Sequence, residues 1–141
     1  MRNEGIILFL GDFNVRIATN QDIILSNHSN PDPLWLDEDD VIATRLKRTS
    51  EDKTENLFGT ELLKLCSSHD LIICNGISKW PSFGQMTYLH GLGSSVVDYV
   101  ISKIHVLSHI TNFELLNDFE LDSDHRPLSL TLNLVMNTSH M

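Results

Sequence analysis

Apolar and polar positions divide the chain into short runs separated by polar connections. Gly5 to Leu10, GIILFL, is continuously apolar and stops at Gly11, the pattern of a strand buried on both faces that ends at a loop. That strand would deliver Asp12 and Asn14 at its carboxyl end. From Ile17 to Lys53, Asn, Asp, Ser and Pro dominate and periodicity is lost, which predicts mostly a long surface loop carrying the acidic run Leu36 to Asp40. Between Asn56 and Ser68, Phe58, Leu62, Leu65 and Cys66 recur at helical spacing, with Leu57 and Leu63 broadening the stripe. The spacing predicts an amphipathic helix that Gly59 weakens slightly.

Leu71 to Cys74 reads as a short strand and Asn75-Gly76 as the turn releasing the chain into a loop around Trp80-Pro81. Further strands are expected at Met86 to Leu89, Val96 to Ser102, Ile110 to Leu116 and Pro127 to Leu134. In the last, Leu128, Leu130, Leu132 and Leu134 alternate with polar residues. The elements predict an α/β chain, a mostly antiparallel sheet with a covering helix, without internal repeats.

A length of 141 residues, 41% of them hydrophobic, fits one domain over residues 1–141 that buries roughly two thirds of its unfolded surface. No apolar run nears the roughly 20 residues of a bilayer span, so no membrane role is expected. The opening MRNEGIILFLGDF has too short an apolar core for a secretion signal, which predicts an intracellular protein, cytoplasmic or nuclear. Cys66 and Cys74 lack zinc-site spacing and read as buried reduced thiols, and the sequons at Asn27 and Asn137 then carry no weight. A net charge of -9 argues against a nonspecific coat on a polyanion, whose affinity comes from Lys and Arg. It argues less against a metal enzyme, because clustered carboxylates can hold a cation that itself meets phosphate.

Three places carry candidate chemistry. Asp12 and Asn14, two apart in an extended segment, would point to one face, although Gly-Asp and Asn after a strand also make an ordinary turn. Asp124 and His125 precede the final strand at Arg126-Pro127, a pair that in isolation is more often a surface loop than a catalytic site. Asp98 lies inside the apolar run Ser95 to Ile101, where a buried carboxylate needs a partner, and His125 is the candidate. A carboxylate on one imidazole nitrogen fixes the tautomer and frees the other for a phosphoryl oxygen or a water. The other histidines, His28, His69, His90, His105, His109 and His140, show no ligand spacing and read as surface residues, and Trp35 and Trp80 as cover for a core edge.

In this order Gly11-Asp12-Phe13-Asn14, Ser94 to Ser102 (SSVVDYVIS) and Ser123-Asp124-His125-Arg126-Pro127-Leu128 resemble the endonuclease/exonuclease/phosphatase superfamily of DNase-I-like and abasic-site endonucleases. Arg48-Thr49-Ser50, Asn56, Gly59, Leu62, Leu65-Cys66, Leu71 to Gly76 and Gly84 to Tyr88 are similar to its non-LTR retrotransposon branch, the reverse-transcriptase-associated endonucleases. The resemblance covers about residues 6–134. It implies the C-terminal half of a four-layered α/β sandwich and a hydrolase that cuts DNA phosphodiesters with Mg²⁺ or Mn²⁺. It implies that Asp12 positions or deprotonates the attacking water, Asn14 contacts the scissile phosphate, Asp124 helps the metal site, His125 stabilises the transition state and Asp98 orients His125. Thr87 would border the phosphate or metal.

The family's first half, with its asparagine strand and principal metal glutamate, has no counterpart among the ten residues before Gly11. A truncated domain is therefore expected, with a missing N-terminal half as its partner, weak metal binding and an uncovered apolar face. Against the nuclease stands a catalytically silent remnant serving as a structural or binding module. A third alternative keeps the fold but acts on phosphoinositides or sphingomyelin.

Overall fold

The computed structural model describes residues 5–20, 48–77, 80, 84–117 and 122–134. Its strands are β1 (Leu8–Asp12), β2 (Leu71–Ile73), β3 (Tyr88–His90), β4 (Gly93–Ser95), β5 (Asp98–Lys103), β6 (Ile110–Leu115) and β7 (Leu128–Leu132). Among the described residues the helical elements are an α-helix, α1 (Leu57–Ser68), and a 3₁₀ helix (Ile104–His109). The strands form three small antiparallel sheets ordered β1-β5-β2, β3-β4 and β6-β7, so the chain is mixed α/β. None of the described helices is long and apolar enough to cross a membrane.

β5 organises the interior. Side chains alternate across a strand, so Val100 enters one apolar cluster with Ile72, Cys74, Ile77, Trp80, Val106, Leu107, Ile110 and Phe113. Tyr99 and Ile101 enter the other with Ile17, Cys66, Ile73 and Val96. The alternating leucines of β7, Leu128, Leu130 and Leu132, pack against the first cluster. Trp80 meets Phe113 edge-on, ring centroids 6.0 Å apart. Both cysteines are free and buried, and burial pushes the Cys66 thiol up to about 11 and the Cys74 thiol to about 12.

The expectation for the first apolar run is corrected by its place in the sheet. β1 starts at Leu8, includes Gly11 and Asp12, and among the described residues pairs only with β5, so it lies at an edge of the described sheet. Phe9 and Leu10 remain 47% and 51% exposed, while Leu8 alone of these packs on a core cluster. The buried central strand is β5 instead. Helix α1 occurs where its period predicts, yet only Leu62, Leu63 and Cys66 of the expected stripe reach the core, while Leu57, Phe58 and Leu65 are exposed. The last strand ends at Leu132 and leaves Leu134 exposed. The acidic run at residues 36–40, both sequons, Trp35, His28 and His140 lie outside the described residues.

Local polar contacts tie this frame to the loop after β1. The Asn56 carbonyl-amide oxygen caps α1 by accepting the Gly59 N–H at 2.8 Å and also accepts the Arg16 N–H at 3.2 Å. The Arg16 carbonyl, which accepts the Asn56 N–H, lies so close to the helix that a Cβ on Gly59 would sit 1.9 Å from it. Gly59 is thus required by this approach, whatever it costs as a helix former. At Gly76 the turn needs a φ of +79°, and the Thr49 carbonyl crowds the same point.

Two stability tests follow from the cap. Gly59→Ala, which in an open helix gains about 1 kcal/mol, should here destabilise the chain by more than that amount, and Asn56→Ala should cost about 1–2 kcal/mol. Urea unfolding measures both; a Gly59→Ala chain as stable as the parent would show that the Arg16–α1 approach does not constrain the fold.

Candidate active site

Asp12 ends β1 and Asp98 begins β5, and the antiparallel register sets them directly opposite one another. Such a cross-strand pair shares one face, with Cβ atoms about 4.5–5.5 Å apart. Two carboxylates so placed repel each other. His125 answers that repulsion: its Nδ1 lies 2.9 and 3.2 Å from the two Asp98 oxygens, and its Nε2 lies 3.9 Å from Asp12 Oδ2. One imidazole therefore connects the two acids.

The backbone around Asp98 is fixed by buried amides and hydroxyls. The Asn75 side chain donates to the Asp98 carbonyl at 3.0 Å and accepts the Val100 N–H at 2.9 Å, extending the β2 edge after β2 has ended. The Thr87 hydroxyl accepts the Val97 and Asp98 N–H groups at 3.0 and 3.2 Å. Further back, Asp52 takes Arg16 through two nitrogens at 2.6 and 2.8 Å and also accepts the N–H groups of Thr54 and Val96. Burial raises the Asp52 carboxyl, but Arg16 and the backbone donors outweigh it and leave the pKa below its ordinary value. The Tyr99 hydroxyl sits 2.6 Å from the Val96 carbonyl and 3.0 Å from that of Val15, adding a bridge between the segments that carry Asp98 and Asp12.

His125 arrives by a strand-like pairing. Leu89 N–H donates to the Asp124 carbonyl and Arg126 N–H to the Thr87 carbonyl, both at 2.8 Å, which puts Tyr88 opposite His125 in an antiparallel bridge. The Tyr88 ring lies against the imidazole, centroids 5.1 Å apart.

The candidate residues thus divide. Asp12, Asp98 and His125 converge, each offering an atom within 4.8 Å of the others, a group that can hold a metal ion. Asp124 is outside this group and pairs with His90, Oδ2 to Nδ1 at 3.2 Å. Thr87 is fully buried and turns its oxygen to the backbone, so it positions Asp98 and presents no surface to a phosphate. Asn14 is exposed and leaves extended geometry, with φ at +51° and its N–H donating to Asp12 Oδ1 at 2.8 Å. This is the turn alternative: an Asx turn, with a local side-chain acceptor stabilising a left-handed residue. Asn75, Asp52 and Arg16 went unread as site supports, because only the cross-strand register reveals what they hold. Compared with family models, curated proteins and solved structures, the chain gives no match.

The hydrogen bond to Asp98 raises the His125 pKa above its usual 6.5, against a smaller lowering by burial, with the charges of Asp98, Asp12 and Asp124 adding to the rise. The protonated form is thus favoured by folding. Its stabilising effect is complete below pH 6.5 and fades as pH rises through the raised value. NMR titration should find His125 titrating above 6.5, and Asp98→Asn should bring it down. The parent should also lose more thermal stability than Asp98→Asn between pH 6 and pH 9, roughly the window in which a raised histidine discharges; equal losses would mean the pair is not coupled to folding.

Proposed function

We propose that this chain is the C-terminal portion of a DNase-I-like, four-layered α/β sandwich and that its site hydrolyses DNA phosphodiesters, as an endonuclease of the non-LTR retrotransposon type. The observation that carries the reading is the Asp98–His125–Asp12 line, assembled from the three ordered motifs. A buried carboxylate on Nδ1 favours imidazolium and directs Nε2–H outward, where it can donate to an oxygen gaining charge on phosphorus. The 3.9 Å between that nitrogen and Asp12 Oδ2 is too long for a hydrogen bond, so Nε2–H is left to serve a phosphoryl oxygen. Asp12 is half exposed and offers Oδ2 to a water, which it aligns and from which it takes a proton as the new P–O bond forms and the leaving oxygen departs.

Among the described residues the donor set fits a hard divalent cation held through Asp12, because both Asp98 oxygens face His125 and oxygen ligands completed by waters suit Mg²⁺ or Mn²⁺. A bound cation supplies charge for the phosphoryl oxygens and lowers the pKa of water. One committed carboxylate makes that site weak, in keeping with a partner half that brings further ligands.

A second reading, a catalytically silent structural or binding module, is favoured by the exposed apolar residues Phe9, Leu10, Leu57 and Phe58. A supercoiled-plasmid nicking assay on the folded chain separates the two. Nicking in Mg²⁺ that EDTA removes and His125→Ala lowers by about 100-fold or more supports the hydrolase. A folded chain that leaves the plasmid intact at high Mg²⁺ even when joined to an N-terminal half supplying the missing sheet and glutamate sinks it in favour of the silent module.

A further inference from the structure

Beside the Asp98–His125 pair stands a second pair of the same design. Tyr88 and His90, two apart on β3, lie on one face of that strand, their rings nearly parallel at 12° with centroids 6.2 Å apart. Tyr88 contacts His125 on one side and His90 on the other, so the three rings form a continuous aromatic ledge. Asp124 Oδ2 holds His90 at Nδ1, as Asp98 holds His125, and leaves the His90 Nε2 outward on an imidazole that is 55% exposed. Asp124 and His125 are neighbours in sequence yet serve different pairs.

Two imidazoles oriented by carboxylates on one ledge suit a ligand with repeated anionic groups. His90 lies about 7 Å along β3 from the residue opposite His125, a step on the scale of one nucleotide. A surface pair of this kind contributes little to folding, since both partners are more than half exposed. His90 and Asp124, each 55% exposed, leave this end of the ledge open to a large ligand.

We propose that His90, oriented by Asp124 and backed by Tyr88, binds the phosphate next to the scissile one in a polynucleotide substrate. The assignment rests on the phosphodiesterase reading of the neighbouring site for its register, but its contact is one of binding. Asp124 is accordingly a positioning residue that acts through His90.

The experiment is equilibrium binding of a fluorescein-labelled short DNA duplex to the full chain in EDTA, repeated with single methylphosphonate linkages that remove one phosphate charge at a time. The parent should lose about 10-fold or more in affinity at one linkage, the size of a lost hydrogen bond to a charged group. His90→Ala should bind the unmodified duplex weaker by the same factor and be indifferent to that linkage, and Asp124→Asn should fall between the two. Loss of affinity in His90→Ala that persists equally at every linkage, or a parent that binds no duplex, overturns the proposal. Because cleavage is not read, the expected pattern in a chain that never nicks DNA would leave this subsite standing and remove only the hydrolytic reading.

Discussion

Two carboxylates forced opposite one another, Asp12 on β1 and Asp98 on β5, are the constraint around which the described structure is arranged. Like charges directly across an antiparallel pair weaken the sheet. Here the backbone register allows no escape, because β1 is paired with β5 along its whole length. The repulsion is met by bringing in an imidazole from a distant segment, and His125 is raised above its ordinary pKa by the partner that orients it. The electrostatic strain and the proposed chemistry have one source: an imidazole held between two acids, its protonated form favoured, with one nitrogen committed and one free.

Holding that geometry requires the loops to be at least as well fixed as the sheets. Asn56 caps the helix and grips Arg16; Arg16 grips Asp52; Asp52 grips the backbone at Val96. Thr87 and Asn75 then seize the backbone of Asp98 from its two sides. None of these side chains reaches Asp12 or His125, yet together they determine where Asp98 stands. Arg48 works similarly at the far end, donating to the carbonyls of Asn75 and Asn20 at 2.7 and 2.8 Å while burial lowers its pKa to about 10. Buried polar groups with satisfied partners give a single arrangement, where an apolar interior alone would tolerate several.

How much of this was legible in the sequence follows from the range of each interaction. The leucine alternation of β7 and the helical period of α1 are local, and both were readable. The pairing of Asp98 with His125 was readable because a carboxylate inside SSVVDYVIS demands a partner. The run GIILFL misleads in one respect: an apolar strand signals what it can bury, and whether anything covers it depends on its neighbours, of which the described residues supply one, β5. Phe58 and Leu65 were misplaced for the same reason. Thr87 and His90 lay beyond local reading altogether, since the burial of one and the partner of the other are set by the pairing of residues 87–90 with 124–126.

The site is therefore split between a rigid and an open part. Asp98 stands on a central strand packed on both faces, while Asp12 stands at the end of an edge strand whose outer side and Phe9 and Leu10 face solvent. Any strand or sheet that paired with β1 would bury those residues and stiffen Asp12 without touching it. The 3.9 Å between Asp12 and His125 is the dimension such pairing would set, because Asp98 and His125 are already locked at 2.9 Å. Asp12 is also the acid proposed to take the proton and hold the cation, so the least constrained member of the trio has the most exacting task.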